Sequence, residues 1–187
     1  MGAALIILLV LVGLVAIIGL WLMASYNGLV RLRQAVKNSW AQIEVQLKRR
    51  HDLIPNLVNT VKGYAAHEKG TLESVINARA RATSAVLPAD KIRAESELSG
   101  ALARLMVVSE AYPELKANQN FTSLQTELTG TEDRIAFARQ SYNDAVTQLN
   151  TAIQTFPTVV IAGMFGFKEE PLFESPAEEK AAPKVEF

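Results

Sequence analysis

From Ala3 to Ala24 the chain carries neither a charged nor a hydrogen-bonding aliphatic side chain: AALIILLVLVGLVAIIGLWLMA. A helix over this stretch is roughly 30 Å long at about 1.5 Å per residue, which matches the hydrocarbon thickness of a bilayer. A cleaved signal peptide is the rival reading. It needs a basic start and a shorter apolar run, and only the terminal amine precedes this one. The stretch therefore reads as an uncleaved membrane span, with Trp21 and Tyr26 suited to the membrane–water interface. Arg31, Arg33 and Lys37 follow it closely. By the positive-inside rule the body of the protein is then cytoplasmic, at an inner (cytoplasmic) membrane crossed once. This divides the chain into an anchor over 1–24, a body over 25–167 and a tail over 168–187.

Beyond the anchor, apolar residues recur at Leu29, Leu32, Val36, Trp40, Ile43, Leu47, Ile54, Leu57, Val61 and Tyr64. Gaps of three, four and seven define a helical stripe with coiled-coil spacing. The slot missing between Leu47 and Ile54 falls on Arg50 or His51. Pro55 lacks a donor and predicts a kink. Gly63 and Gly70 place the end of this helix near Glu68. A second helix is predicted from about Thr71 to Val86, with Leu72, Val75, Ile76, Arg79 and Ala82 on related faces. A turn at Leu87–Asp90 follows, with Asp90 as a candidate N-cap. A third helix, about Lys91 to Ala111, carries Ile92, Leu98, Leu102, Leu105 and Val108. Tyr112-Pro113 breaks it. The fourth runs from near Pro113 to about Phe156, with Gly130 interrupting its stripe. No β-alternation of useful length is present. The fold class is all-α: an N-terminal transmembrane helix continuing into an elongated antiparallel bundle of two long and two short helices. The Pro- and Glu-rich tail is expected to be disordered.

Antiparallel pairing leaves only the two long helices near the membrane. There Trp40, Ile43, Tyr142, Leu149, Ile153 and Phe156 have too few partners, which predicts a homo-oligomer surface. The same pairing sets Arg49, Arg50 and His51 level with Glu132 and Asp133. A polar layer is predicted, with Arg50–Glu132 and His51–Asp133 contacts. The segment TVVIAGMFGF, 158–167, arrives beside the bilayer, either in its interface or docked on the bundle; it is too short to span.

The remaining signals exclude more than they assign. Formal net charge is zero, so a nucleic-acid partner gains no electrostatic support. Absence of cysteine rules out disulfides and thiolate chemistry. His51 and His67 lack the four-residue spacing of a helical zinc pair, and no metal or cofactor site is expected. Adjacent helical side chains point apart, so His51-Asp52 is not a dyad. Ser25, Ser39, Ser74, Ser84 and Ser109 sit in no nucleophile elbow. No catalytic residue is assigned. The Lys48–Asp52 cluster has a functional reading as a phosphate- or partner-docking patch. An inter-helix salt-bridge layer accounts for it more simply.

The block WAQIEVQLKRRHDLIPNLVNTVKGYAAHE resembles the LemA family, as do YPELKANQNFTSLQTELTGTEDRIAFARQSYNDAV and FPTVVIAGMFGF. The similarity covers roughly Tyr26 to Phe167; Leu149-Asn150 stands where the family suggests Tyr-Asn. The resemblance implies a bacterial source, one N-terminal span and a helical bundle, without an established activity. The expected function is a membrane-anchored scaffold that self-assembles and recruits partners, without catalysis. The alternative is a sensory or regulatory membrane subunit acting through a specific protein partner.

Overall fold

The computed structural model describes residues 2–65 and 67–173. Among them are six helices and no strand: α1 (Gly2–Tyr64), α2 (Lys69–Ser84), α3 (Pro88–Ser109), α4 (Pro113–Lys116), α5 (Gln119–Gln154) and α6 (Thr158–Met164). The chain forms two compact units. One contains residues 2–40 and 141–172; the other contains 41–140 and residue 173. Helices α1 and α5 each contribute to both.

In the unit containing α2 and α3, the apolar stripes meet in one core. Ile54, Leu57 and Val61 of α1 pack with Val75 of α2, Leu98 and Leu105 of α3, Leu115 of α4 and Phe121 of α5. Pro55 does not end α1. Lacking an N–H, it cannot bond the carbonyl of His51 one turn earlier. Arg79 of α2 donates from Nε to that carbonyl at 2.8 Å, so the group the proline orphans is satisfied by another helix. Of the predicted α2 face, Leu72, Val75 and Ala82 are buried, whereas Ile76 is exposed.

The helix limits differ from the sequence reading in four places, each for a local reason. Asp90 does not cap α3. The helix starts at Pro88, because proline loses nothing at a first-turn position whose N–H has no helical partner. The fourth predicted helix is two: a single turn, α4, then α5. Asn118 makes the break, its Oδ1 accepting the N–H of Phe121 at 3.1 Å and capping α5. Gly130 does not interrupt α5, which passes through it unbroken. Helix α1 ends at Tyr64 rather than near Glu68, one residue after Gly63, whose backbone freedom weakens a helix.

In the other unit, α1 supplies a helix long and apolar enough to cross a membrane, and its most apolar window is entirely unburied. Past that window Leu29 and Val36 are buried, as are Tyr142, Val146, Leu149 and Ile153 of α5. Helix α6 adds Ile161 and Ala162. The chain then runs back along α5 as a strap. Asn150 donates from Nδ2 to Glu170 O at 2.9 Å and accepts the Glu170 N–H at 3.0 Å. Tyr142 Oη donates to Pro171 O at 2.9 Å, and Gln154 Nε2 to Glu169 Oε1 at 3.0 Å. Burial raises the Tyr142 phenol to about 12, with Glu170 adding to the shift.

Residues 168–173, expected to be disordered, are therefore tied along α5 by hydrogen bonds, mostly exposed, and end on a buried Phe173 beneath the Arg139 guanidinium. The remainder of the predicted disordered tail, 174–187, lies outside the described residues.

Candidate functional site

Helical periodicity puts charge where the core should be apolar. On α1 the buried sequence Ile43, Leu47, Ile54 leaves one step for Arg50 and His51, and both are buried there, Arg50 completely. On α3 the buried stripe Ile92, Leu98, Leu102 leaves an equivalent step at Glu95, also fully buried. A lone charge in such a slot is costly, so a facing slot must supply its opposite.

Arg50 is the hub. Its Nη1 donates to Ser99 Oγ at 2.9 Å and to both Glu132 oxygens, at 2.9 and 3.1 Å. Its Nη2 pairs with Glu95 Oε2 and reaches the Glu95 carbonyl oxygen at 3.4 Å. His51 Nε2 lies 2.9 Å from Glu95 Oε1, and neither atom has another partner. That contact is attractive whether the ring is neutral with its proton on Nε2 or fully protonated. Burial alone would push the Glu95 carboxyl up; His51 and Arg50 together outweigh it and hold the group below the usual carboxylate range.

This shift carries a sign. The unfolded chain takes up the Glu95 proton before the folded one does, so the group adds stability above its ordinary value. Melting temperature is expected to hold level above pH 4.5 and to fall as pH drops from there through the depressed value. Thermal unfolding of the full-length protein in detergent, followed by circular dichroism, reads this directly. Glu95→Gln should flatten the acid limb.

The other predicted members of the layer lie elsewhere. Asp133 is exposed and does not meet His51: one residue along a helix is a 100° rotation, so Glu132 and Asp133 cannot both face Arg50. Arg49 lies on the surface, 3.9 Å from Glu127, in a pair worth under about 1 kcal/mol. His67 is exposed in the turn after α1. Glu95 was the partner missing from the sequence reading. Its signal was available as a charged residue filling the gap between Ile92 and Leu98.

The predicted oligomer surface is corrected more deeply. Ile43, Tyr142, Leu149 and Ile153 are buried within the single chain, and Trp40 is partly covered, its ring 5.3 Å from that of Tyr142. Of the set only Phe156 is strongly exposed. The strap supplies part of this cover over α5, through its bonds to Tyr142, Asn150 and Gln154.

Chemically, the layer resembles a histidine–carboxylate pair, but its centre is closed. Glu95 and the Arg50 side chain have no exposed surface. Only its edge opens outward: Glu132 and Ser99 line a groove of about 330 Å³ between α3 and α5. No group of three or more metal-type ligands occurs among the described residues.

These features define an all-helical protein with an exposed apolar N-terminal helix and a bundle locked by an internal ionic layer. Residues 39–187 match the LemA family, and the chain belongs to it. Among similar proteins is magnetosome protein MamQ 1 of Paramagnetospirillum magneticum, 29% identical, with 83% of this chain and 67% of the relative covered. Another is Protein LemA of Metamycoplasma hominis, 26% identical over 80% of this chain and 68% of the relative.

Proposed function

We propose that this protein is a membrane-anchored, non-catalytic helical scaffold that self-assembles through its bundle and presents it to partners on the cytoplasmic side. The observation that carries the reading is the continuity of α1: one unbroken helix bears the exposed apolar window and the core stripe of the bundle. Anchor and body are thus a single element, with no linker between them. The sealed ionic layer fits the same reading, since a substrate cannot reach its central pair.

With the predicted stripe buried, the assembly surface moves. Val45 and Phe137 are strongly exposed and line one shallow groove together with Gln42, Gln46, Asp133 and Arg134. Exposed aromatic and branched side chains in one patch, rimmed by polar groups, favour protein contact. Sizing and imaging of the detergent-extracted full-length protein tests the proposal. A scaffold gives a large, defined particle from this chain alone, and Phe137→Ser should shift it towards the single protomer. A small species that co-purifies with one specific protein would instead favour a regulatory subunit.

A further inference from the structure

From Thr155 to Phe167 the chain carries no charge: TFPTVVIAGMFGF. Helix α6 lies within this stretch and uses both of its sides. Ile161 and Ala162 are buried in the unit that contains the anchor. On the other side Val160 and Met164 lie one turn apart and are exposed by 54 and 71%, and Phe156, just before the helix, is 79% exposed. Val159 and Phe165 extend this face and are also exposed. A segment apolar all round is at home in a core or in lipid, and here one side has no protein cover.

The position of α6 says what covers that side. The Phe165 ring sits 4.7 Å from Tyr26 and the Phe167 ring 6.1 Å from it. Tyr26 lies only about 3 Å beyond Ala24 along the helix. The interfacial layer on each side of the hydrocarbon core is roughly 6 Å deep. Phe165 therefore stands beside Tyr26, at the level where the anchor leaves the hydrocarbon, with Trp21 between one and two turns earlier on α1. That is the composition of an interfacial aromatic belt. The Arg33 guanidinium lies 4.9 Å over the Phe167 ring, and Lys168 follows directly. Cations at this level suit headgroups.

We infer that the exposed face of α6 is a second membrane contact, lying in the interfacial layer of the same bilayer that holds α1. The contact fixes the rotation of α1 about its own axis as well as its depth, because α6 is held to Tyr26 on one side only. A single span without such a contact can turn freely.

This inference rests on the reading of α1 as an anchor, and the test separates the two. The chain has no cysteine, so single-cysteine variants can be labelled without background. Full-length Val160→Cys and Met164→Cys proteins, labelled with an environment-sensitive dye, are reconstituted into vesicles of phosphatidylethanolamine and phosphatidylglycerol. Val15→Cys within the apolar window and Ala80→Cys on α2 serve as references. The expected result is blue-shifted emission at 160 and 164, shielded from aqueous iodide and quenched more by nitroxides high on the acyl chain than by nitroxides near its end. Val15 should be quenched by the deep nitroxide, and Ala80 by iodide alone. Iodide quenching at both 160 and 164, with Val15 in lipid, overturns the inference and leaves the anchor standing. Protection at 160 and 164 without nitroxide quenching, with energy transfer between labelled copies, also overturns it, in favour of a protein-covered face. An iodide-accessible Val15 removes both readings.

Discussion

Replacing Arg50 with methionine is expected to destabilise the bundle by about 3–5 kcal/mol, the usual cost of stranding a buried charge by removing its partner. Methionine fills much of the space, so the loss is electrostatic rather than a cavity. Glu95 is the group left with the penalty: fully buried, it would keep only the contact with the His51 ring. Glu132 suffers less, because its side chain is about a third exposed and can hydrate. A sharper expectation follows for Arg50→Met combined with Glu95→Met. Removing both charges together is commonly neutral, so most of the lost stability should return. Chemical denaturation of the two variants in detergent measures the coupling. A loss below about 1 kcal/mol for the single variant would show that the layer contributes little more than a surface pair does.

Leu149→Ala is expected to cost about 2–5 kcal/mol, the range for deleting a core leucine and leaving a cavity. The side chain is 1% exposed, in the part of α5 along which the strap runs. The prediction distinguishes core from interface. If Leu149 belonged to an oligomer surface, alanine would shrink the assembled particle and leave unfolding nearly unchanged. With the residue in the core, unfolding moves to lower denaturant while the folded protein keeps its assembly size. Asn150→Ala provides a companion measurement, because it removes the paired amide contacts to Glu170 and leaves Leu149 intact.

These two residues show where the sequence was legible and where it was not. Arg50 could be placed from spacing alone: it sits in a core slot of a helical stripe and needs a buried acid. Glu132 could be chosen by counting along the antiparallel partner. Glu95 sits in a gap of the α3 stripe that periodicity also reveals, but matching it to Arg50 requires knowing which helix faces which. Leu149 reads as apolar and helical from its spacing. The strap that runs beside it does not, because a Pro- and Glu-rich segment carries no periodic signal, and its attachment runs through backbone groups and the Asn150 amide.

By itself, then, the sequence determined the all-helical class, the apolar window at the start of α1, the core-facing stripes and the charged slot within them. These are local properties, set by the 3.6-residue repeat and by side-chain polarity. The tertiary structure decided which acid neutralises Arg50, which side chain takes the carbonyl that Pro55 leaves free, and how the stripe on α5 is covered. Each of these depends on contacts between segments far apart in the chain, brought together by the break at Asn118 and by the return of residues 168–172. No single helix encodes its own register against the others.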